Sequence, residues 1–123
     1  MQKTVLTRAL QLGWLGSVTA VAYLSLKPGI SPPGDFGHID KVYHFLSYCW
    51  LAFLPMLAFT KQSIAKKLSL AMIGLGLGLE FIQYFLPART LSGLDFLANS
   101  LGVGLGLWLG LKLRPLVPVA AGK

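Results

Sequence analysis

Acidic residues are nearly missing from this chain. Its 123 residues carry 4 Asp and Glu against 11 Lys and Arg, and charged residues of both signs make up only 12%. A soluble domain usually needs about 25% charged residues to keep its surface hydrated. Half that fraction, with a mean hydropathy of +0.66, excludes a disordered chain and nearly every soluble fold. Cysteine is scarce too. Cys49 stands alone, so it forms no intrachain disulfide, has no CxxC partner and excludes a disulfide scaffold. Lying within an apolar run, it reads as a small packing residue. Also lacking are a serine-hydrolase elbow, an HExxH metal helix and a phosphate-cradling loop. The Gly-Leu alternation before Glu80 has the glycines of such a loop but not its strand-turn-helix context.

What is present is long apolar sequence. The stretches Leu10–Leu26, Val42–Thr60, Leu68–Leu86 and Leu94–Leu111 are continuous rather than alternating. They approach the roughly 20 helical residues that cross a hydrocarbon core, and they outlast a membrane strand of about 10 residues. The connectors carry Pro28-Gly29, Pro32-Pro33-Gly34, Pro87 and Ser92-Gly93, and Lys61 to Lys67 reads as a short polar hairpin. These features predict an all-α, four-transmembrane-helix bundle forming one integral membrane domain over 1–123. The net charge of +7 would suggest nucleic acid in a soluble protein. Here the basic residues are dispersed between apolar spans, which points to membrane orientation and contact with anionic lipid, with no nucleic-acid partner. Eight Lys and Arg fall at the N-terminus, second loop and C-terminus, against three (Lys27, Lys41, Arg89) in the first and third loops. Both termini are therefore expected in the cytoplasm. Ala20-Val21-Ala22 has the look of a signal cleavage site, but the apolar stretch runs past it to Leu26, which favours an uncleaved first helix.

Packing signals follow. Gly102, Gly106 and Gly110 repeat at small-xxx-small spacing on the fourth helix, and Gly74 and Gly78 do so on the third. Close approach through glycine is a main source of association in lipid, so these faces are expected to pack helices together or to support a homo-oligomer. Pro55 lacks the N–H that would bond the Leu51 carbonyl and should kink the second helix.

The costly polar residues gather toward one end. Asp40, Lys41 and His44 open the second helix, with Tyr48 one turn further on. Glu80 and Gln83 lie near the close of the third, and Arg89 falls in the loop beyond. Asp95 and Asn99 begin the fourth. Asp40–His44, His44–Tyr48 and Asp95–Asn99 are i,i+4 pairs, and Glu80–Gln83 is i,i+3, so each pair shares a helix face. An ionisable side chain in hydrocarbon costs about 2.5–3.5 kcal/mol even on the lenient scale, so the faces should turn toward one another and form a pocket open to the extracytoplasmic side. Duller roles exist for most of them. Asp40 is a possible helix cap, Ser92-x-x-Asp95 fits a capping box, Arg89 would serve as a salt-bridge partner for Asp95, and His44 alone is a commonplace satisfied polar residue. Glu80 has no such explanation. It needs no cap, and six residues before Leu86 place it about 9 Å below that end.

Taken in order, Asp40-Lys41-x-x-His44-Phe45-x-x-Tyr48, Glu80-x-x-Gln83-x-Phe85-x-Pro87-x-Arg89 and Ser92-x-x-Asp95-x-x-x-Asn99-x-x-Gly102 resemble the VanZ-like family over about residues 40–106. Ala88 departs from the family pattern, which often has Gly there. The resemblance implies a small, multi-pass bacterial inner-membrane protein. Its family context includes resistance to the glycopeptide teicoplanin, and it implies no particular reaction.

Three readings compete. In the first, the pocket binds an anionic membrane-borne ligand, a lipid or lipid-linked cell-envelope precursor. Lys41 and Arg89 supply positive charge, His44, Gln83 and Asn99 hydrogen-bond the headgroup, and Asp40, Tyr48, Glu80 and Asp95 line it. In the second, Glu80 and His44 act as an acid–base pair oriented by Asp95 in an intramembrane enzyme, for which no nucleophile is evident. In the third, the bundle is a structural or transport subunit, although few polar residues mark the inner half. No cofactor is implied, and Asp40, His44 and Glu80 match no recognised metal spacing. Binding is the preferred reading.

Overall fold

The computed structural model describes residues 2–26, 37–85 and 93–117, with side chains over 4–26, 41–85 and 94–117. The proline- and glycine-rich connectors, Arg89 and the Ser92 cap lie outside the described residues, as does the side chain of Asp40. Four α-helices appear in order: α1 (Gln2–Leu26), α2 (Gly37–Ala58), α3 (Gln62–Gln83) and α4 (Gly93–Leu113), followed by a 3₁₀ turn at Arg114–Leu116. The all-helical class is as expected. Two segments, Thr4–Leu26 and Leu94–Leu116, are long and apolar enough to cross a membrane by length and composition.

The helix ends differ from the apolar runs in an instructive way. α3 begins at Gln62, so Gln62 to Lys67 is not a polar hairpin but the first turns of the helix. Backbone hydrogen bonding continues through polar residues wherever the next turn can form. α3 also closes at Gln83, three residues before Leu86. Glu80 therefore lies about 4.5 Å below the helix end, half the depth the apolar run suggested.

Hydrogen bonds set the helix directions. Gln11 of α1 donates to the Ala58 carbonyl at the end of α2, 3.2 Å away. Gln83, closing α3, donates to Ser25 at the end of α1. Lys41 near the start of α2 meets Asp95 near the start of α4. Consecutive helices thus run antiparallel, while α2 and α4 run parallel. One end of the molecule gathers the starts of α2 and α4 and the closes of α1 and α3. The opposite end carries the exposed Lys61, Lys66, Lys67 and Lys112.

α2 and α4 form the tightest pair in the fold. A Cβ on Gly102 would collide with the Phe45 carbonyl oxygen, and one on Gly106 with that of Cys49; one on Gly110 would stand 2.5 Å from Met56 Cβ. The three glycines let two backbones touch over successive turns, where close contact gains dispersion energy. The α4 glycine face is thereby occupied within the chain. On α3 the packing within the chain falls elsewhere: Gly74 and Gly78 have nothing within 4 Å among the described residues, and Gly76 makes the close approach.

Pro55 frees the Leu51 carbonyl as expected, and the fold supplies a substitute donor. Trp14 Nε1 of α1 donates to Leu51 O at 2.8 Å. The adjacent Ala52 carbonyl accepts from Ser69 Oγ of α3 at 2.6 Å. Around this seam the core gathers Trp14, Tyr48, Leu51, Ala52, Leu54, Met72 and Val103. The polarity is inverted relative to a soluble protein. Ser69, Glu80, Asn99 and Arg114 are buried, while Leu12, Leu46, Leu77, Leu101 and Trp108 are exposed. Such an apolar exterior suits a lipid surround, which offers polar groups no hydrogen bonds and so favours their burial.

Candidate functional site

The polar residues meet where α2, α3 and α4 converge. Each is brought there by helical spacing. Lys41, His44 and Tyr48 lie three and four residues apart along α2, and Asp95 and Asn99 lie four apart on α4. Lys41 Nζ stands 2.7 Å from Asp95 Oδ1. His44 Nδ1 lies 3.2 Å from Asn99 Oδ1; the amide oxygen is an acceptor, so the imidazole donates through Nδ1. His44 Nε2 then faces Asp95 Oδ2 at 3.9 Å, beyond hydrogen-bond range. Asp95 sits in the first turn of α4, where the helix dipole favours a carboxylate. Thus α2 and α4, already locked by glycine, are tied at this end by two side-chain pairs.

Glu80 enters from α3. It is 6% exposed, and it interacts electrostatically with Asp95, His44, Lys41 and Tyr48. Its Oε1 is buried and has no hydrogen-bond partner among the described residues. Exposure falls steadily from Lys41, whose side chain is 31% exposed, to Asn99 and Tyr48 at 2% each. We call this graded set of side chains the funnel: a cation stands at its outer edge and a carboxylate further in. Gly76 stands at its inner end. A Cβ there would stand 3.0 Å from Asn99 Nδ2 and 3.2 Å from Tyr48 Cε1, so a larger residue would have to displace one of these side chains. The sequence signal was available, since Gly76 precedes Glu80 by one turn on the same face.

Not every expected residue joins. Gln83 Nε2 donates to the Ser25 carbonyl at 2.6 Å, so its amide closes the end of α1 and does not line the funnel. Arg89 and the Asp40 side chain lie outside the described residues. No three His, Cys, Asp or Glu side chains among the described residues are placed to hold a metal ion. At the opposite end, Arg114 is buried. It donates to the Met56 and Phe59 carbonyls at 2.7 and 2.9 Å and to Thr60 O, capping the last turn of α2, where a cation also suits the helix dipole.

The VanZ/LLP1 family profile matches residues 3–114, a span that contains the whole funnel and the four helices except Gln2. The chain belongs to the VanZ/LLP1 family. An uncharacterized protein of the fission yeast Schizosaccharomyces pombe is 36% identical over 93 residues, which cover 73% of this chain and 55% of that protein. The chain therefore spans about half the length of that relative. No solved structure matches it.

Proposed function

We propose that the funnel holds the polar headgroup of an anionic, membrane-borne lipid. In this reading the chain is a single domain whose four helices all span the bilayer. Both termini are cytoplasmic and the funnel opens to the extracytoplasmic leaflet. The observation that carries it is Glu80, a buried acid with an unpartnered oxygen, one helical turn from the end of α3. A membrane acid this costly is kept for a ligand or a proton, and its shallow depth is where headgroups lie. Tyr23 on α1, Tyr43 on α2 and Tyr84 just past the end of α3 are exposed at this same end, the residue type that favours the bilayer interface.

Lys41 supplies charge for a phosphate, as would Arg89 in the connector between α3 and α4. His44, Asn99, Tyr48 and Asp95 line the funnel, and Asp40 precedes Lys41 in sequence. A fission-yeast relative favours a ligand common to bacterial and yeast membranes, a phospholipid, over a wall precursor. Any bearing on glycopeptide susceptibility would run through such a precursor. Transport is disfavoured because the buried polar groups of the lysine-rich half, Ser69 and Arg114, are spent on helix carbonyls.

Native mass spectrometry of the purified protein tests the reading. A phospholipid retained by the wild type should be bound at least about tenfold more weakly by Lys41→Ala, the loss expected for one charged hydrogen bond. Gly74→Ala, away from the funnel, should keep it. An unchanged lipid profile in Lys41→Ala would sink the proposal. Turnover of the bound lipid, lost in Glu80→Gln, would convert binding into acid–base catalysis.

A further inference from the structure

The funnel does not suit an anion alone. Among the described residues the funnel holds one cation, Lys41, and two acids, Glu80 and Asp95. The Lys41 ammonium is already set against Asp95 at 2.7 Å. A headgroup carrying only phosphate oxygens would bring further acceptors into a chamber whose own acids outnumber its cations. Glu80 needs the opposite. An ionised carboxylate only accepts hydrogen bonds, and Glu80 Oε1 is buried with no donor among the described residues. The neighbouring groups do not meet this need. His44 directs its Nδ1–H to Asn99, and the Asn99 amide nitrogen faces the cleft beside Gly76.

Resting on the lipid-binding reading above, and replacing its net anionic charge with a donor as the feature selected, we infer that the bound headgroup itself donates a hydrogen bond to Glu80. The ligand class is then a phospholipid whose headgroup ends in a hydroxyl or a primary ammonium. Its phosphate sits toward Lys41 at the outer edge, and its O–H or N–H reaches the carboxylate further in. The arrangement selects on the donor, not on the net charge. A quaternary ammonium offers charge without an N–H, and a methyl phosphodiester offers phosphate without an O–H; both leave Glu80 Oε1 buried and unmet. An unsatisfied buried acceptor forfeits the full desolvation term.

Four lipids with matched acyl chains separate the two variables. Phosphatidylethanolamine and phosphatidylglycerol carry a donor; phosphatidylcholine and phosphatidylmethanol do not. Within each class one lipid is zwitterionic and the other anionic. Titrated into wild-type protein in detergent and read by native mass spectrometry, the two donor lipids should bind at least about tenfold tighter than the two without, the discrimination of one charge-assisted hydrogen bond. Whichever donor lipid binds tighter identifies the ammonium or the hydroxyl as the group used. Glu80→Gln, which keeps an acceptor oxygen but no charge, should compress the gap, and Glu80→Leu should close it. Saturable binding that is equal for all four lipids would overturn the inference and leave lipid binding standing. So would a ranking by net charge, with phosphatidylglycerol and phosphatidylmethanol together at the top, or a donor preference that survives in Glu80→Leu. Saturable binding of none of the four would end both proposals. The wild-type series decides the matter even if a Glu80 variant fails to fold.

Discussion

The Leu51 carbonyl shows how one residue in the sequence creates a task for another. Pro55 removes its helical donor, and a bare carbonyl in an apolar core costs about 1–3 kcal/mol. Trp14, 37 positions away in sequence, takes it up. Trp14→Phe should therefore destabilise the protein by about 1 kcal/mol, measured by reversible unfolding in mixed micelles. In a Pro55→Ala background the restored N–H returns to Leu51, and the same substitution should cost distinctly less. A purely additive cycle would refute the coupling. Arg114 makes the parallel case at the end of α2. With three carbonyls in its reach, Arg114→Gln should cost about 2 kcal/mol or more, whereas Lys112→Gln, on an exposed residue, should cost little. Freed carbonyls can be read from a proline. The donors that answer them cannot, because nothing local ties Trp14 to Leu51 or marks Arg114 as other than one more basic residue near a helix end.

At the scale of the helices, the contrast between glycines is the sharpest test. Gly106→Ala would press a methyl group into the Cys49 carbonyl. Backbone has no rotamer to escape through, so a loss of about 1–3 kcal/mol is expected. Gly74→Ala meets nothing within 4 Å and should gain up to about 1 kcal/mol from helix propensity. Comparable effects at the two sites would contradict the packing described. Spacing alone marked both glycine faces and could not rank them, because which face of a helix meets a neighbour depends on how the neighbours are arranged. The same blindness placed Gln83 in the pocket with Glu80. Three residues apart, the two share a face broadly, yet Gln83 turns to the end of α1 while Glu80 turns inward. Helix number, order and the convergence of His44, Glu80, Asp95 and Asn99 were legible because buried charge has few places to go. The helix ends were less so, since apolar composition stops before hydrogen bonding does.

The whole molecule is asymmetric from end to end. One end collects Glu80, Asp95, the exposed tyrosines and the funnel; the other collects exposed lysines and a buried arginine cap. In the proposed topology of four spans and cytoplasmic termini, a reporter fused after the C-terminus should be active only on the cytoplasmic side, and a thiol placed at Lys66 should resist impermeant labelling from outside intact cells; labelling there would invert the orientation. The central claim, that lipid is held by the three-helix funnel, is tested most directly by locating a bound lipid. A phospholipid with a photoactivatable headgroup, crosslinked in the native membrane and mapped by peptide mass spectrometry, should mark residues within 41–48, 80–83 and 95–99. Adducts confined to Lys61–Lys67 and Lys112 at the opposite end, with none in the funnel, would contradict it.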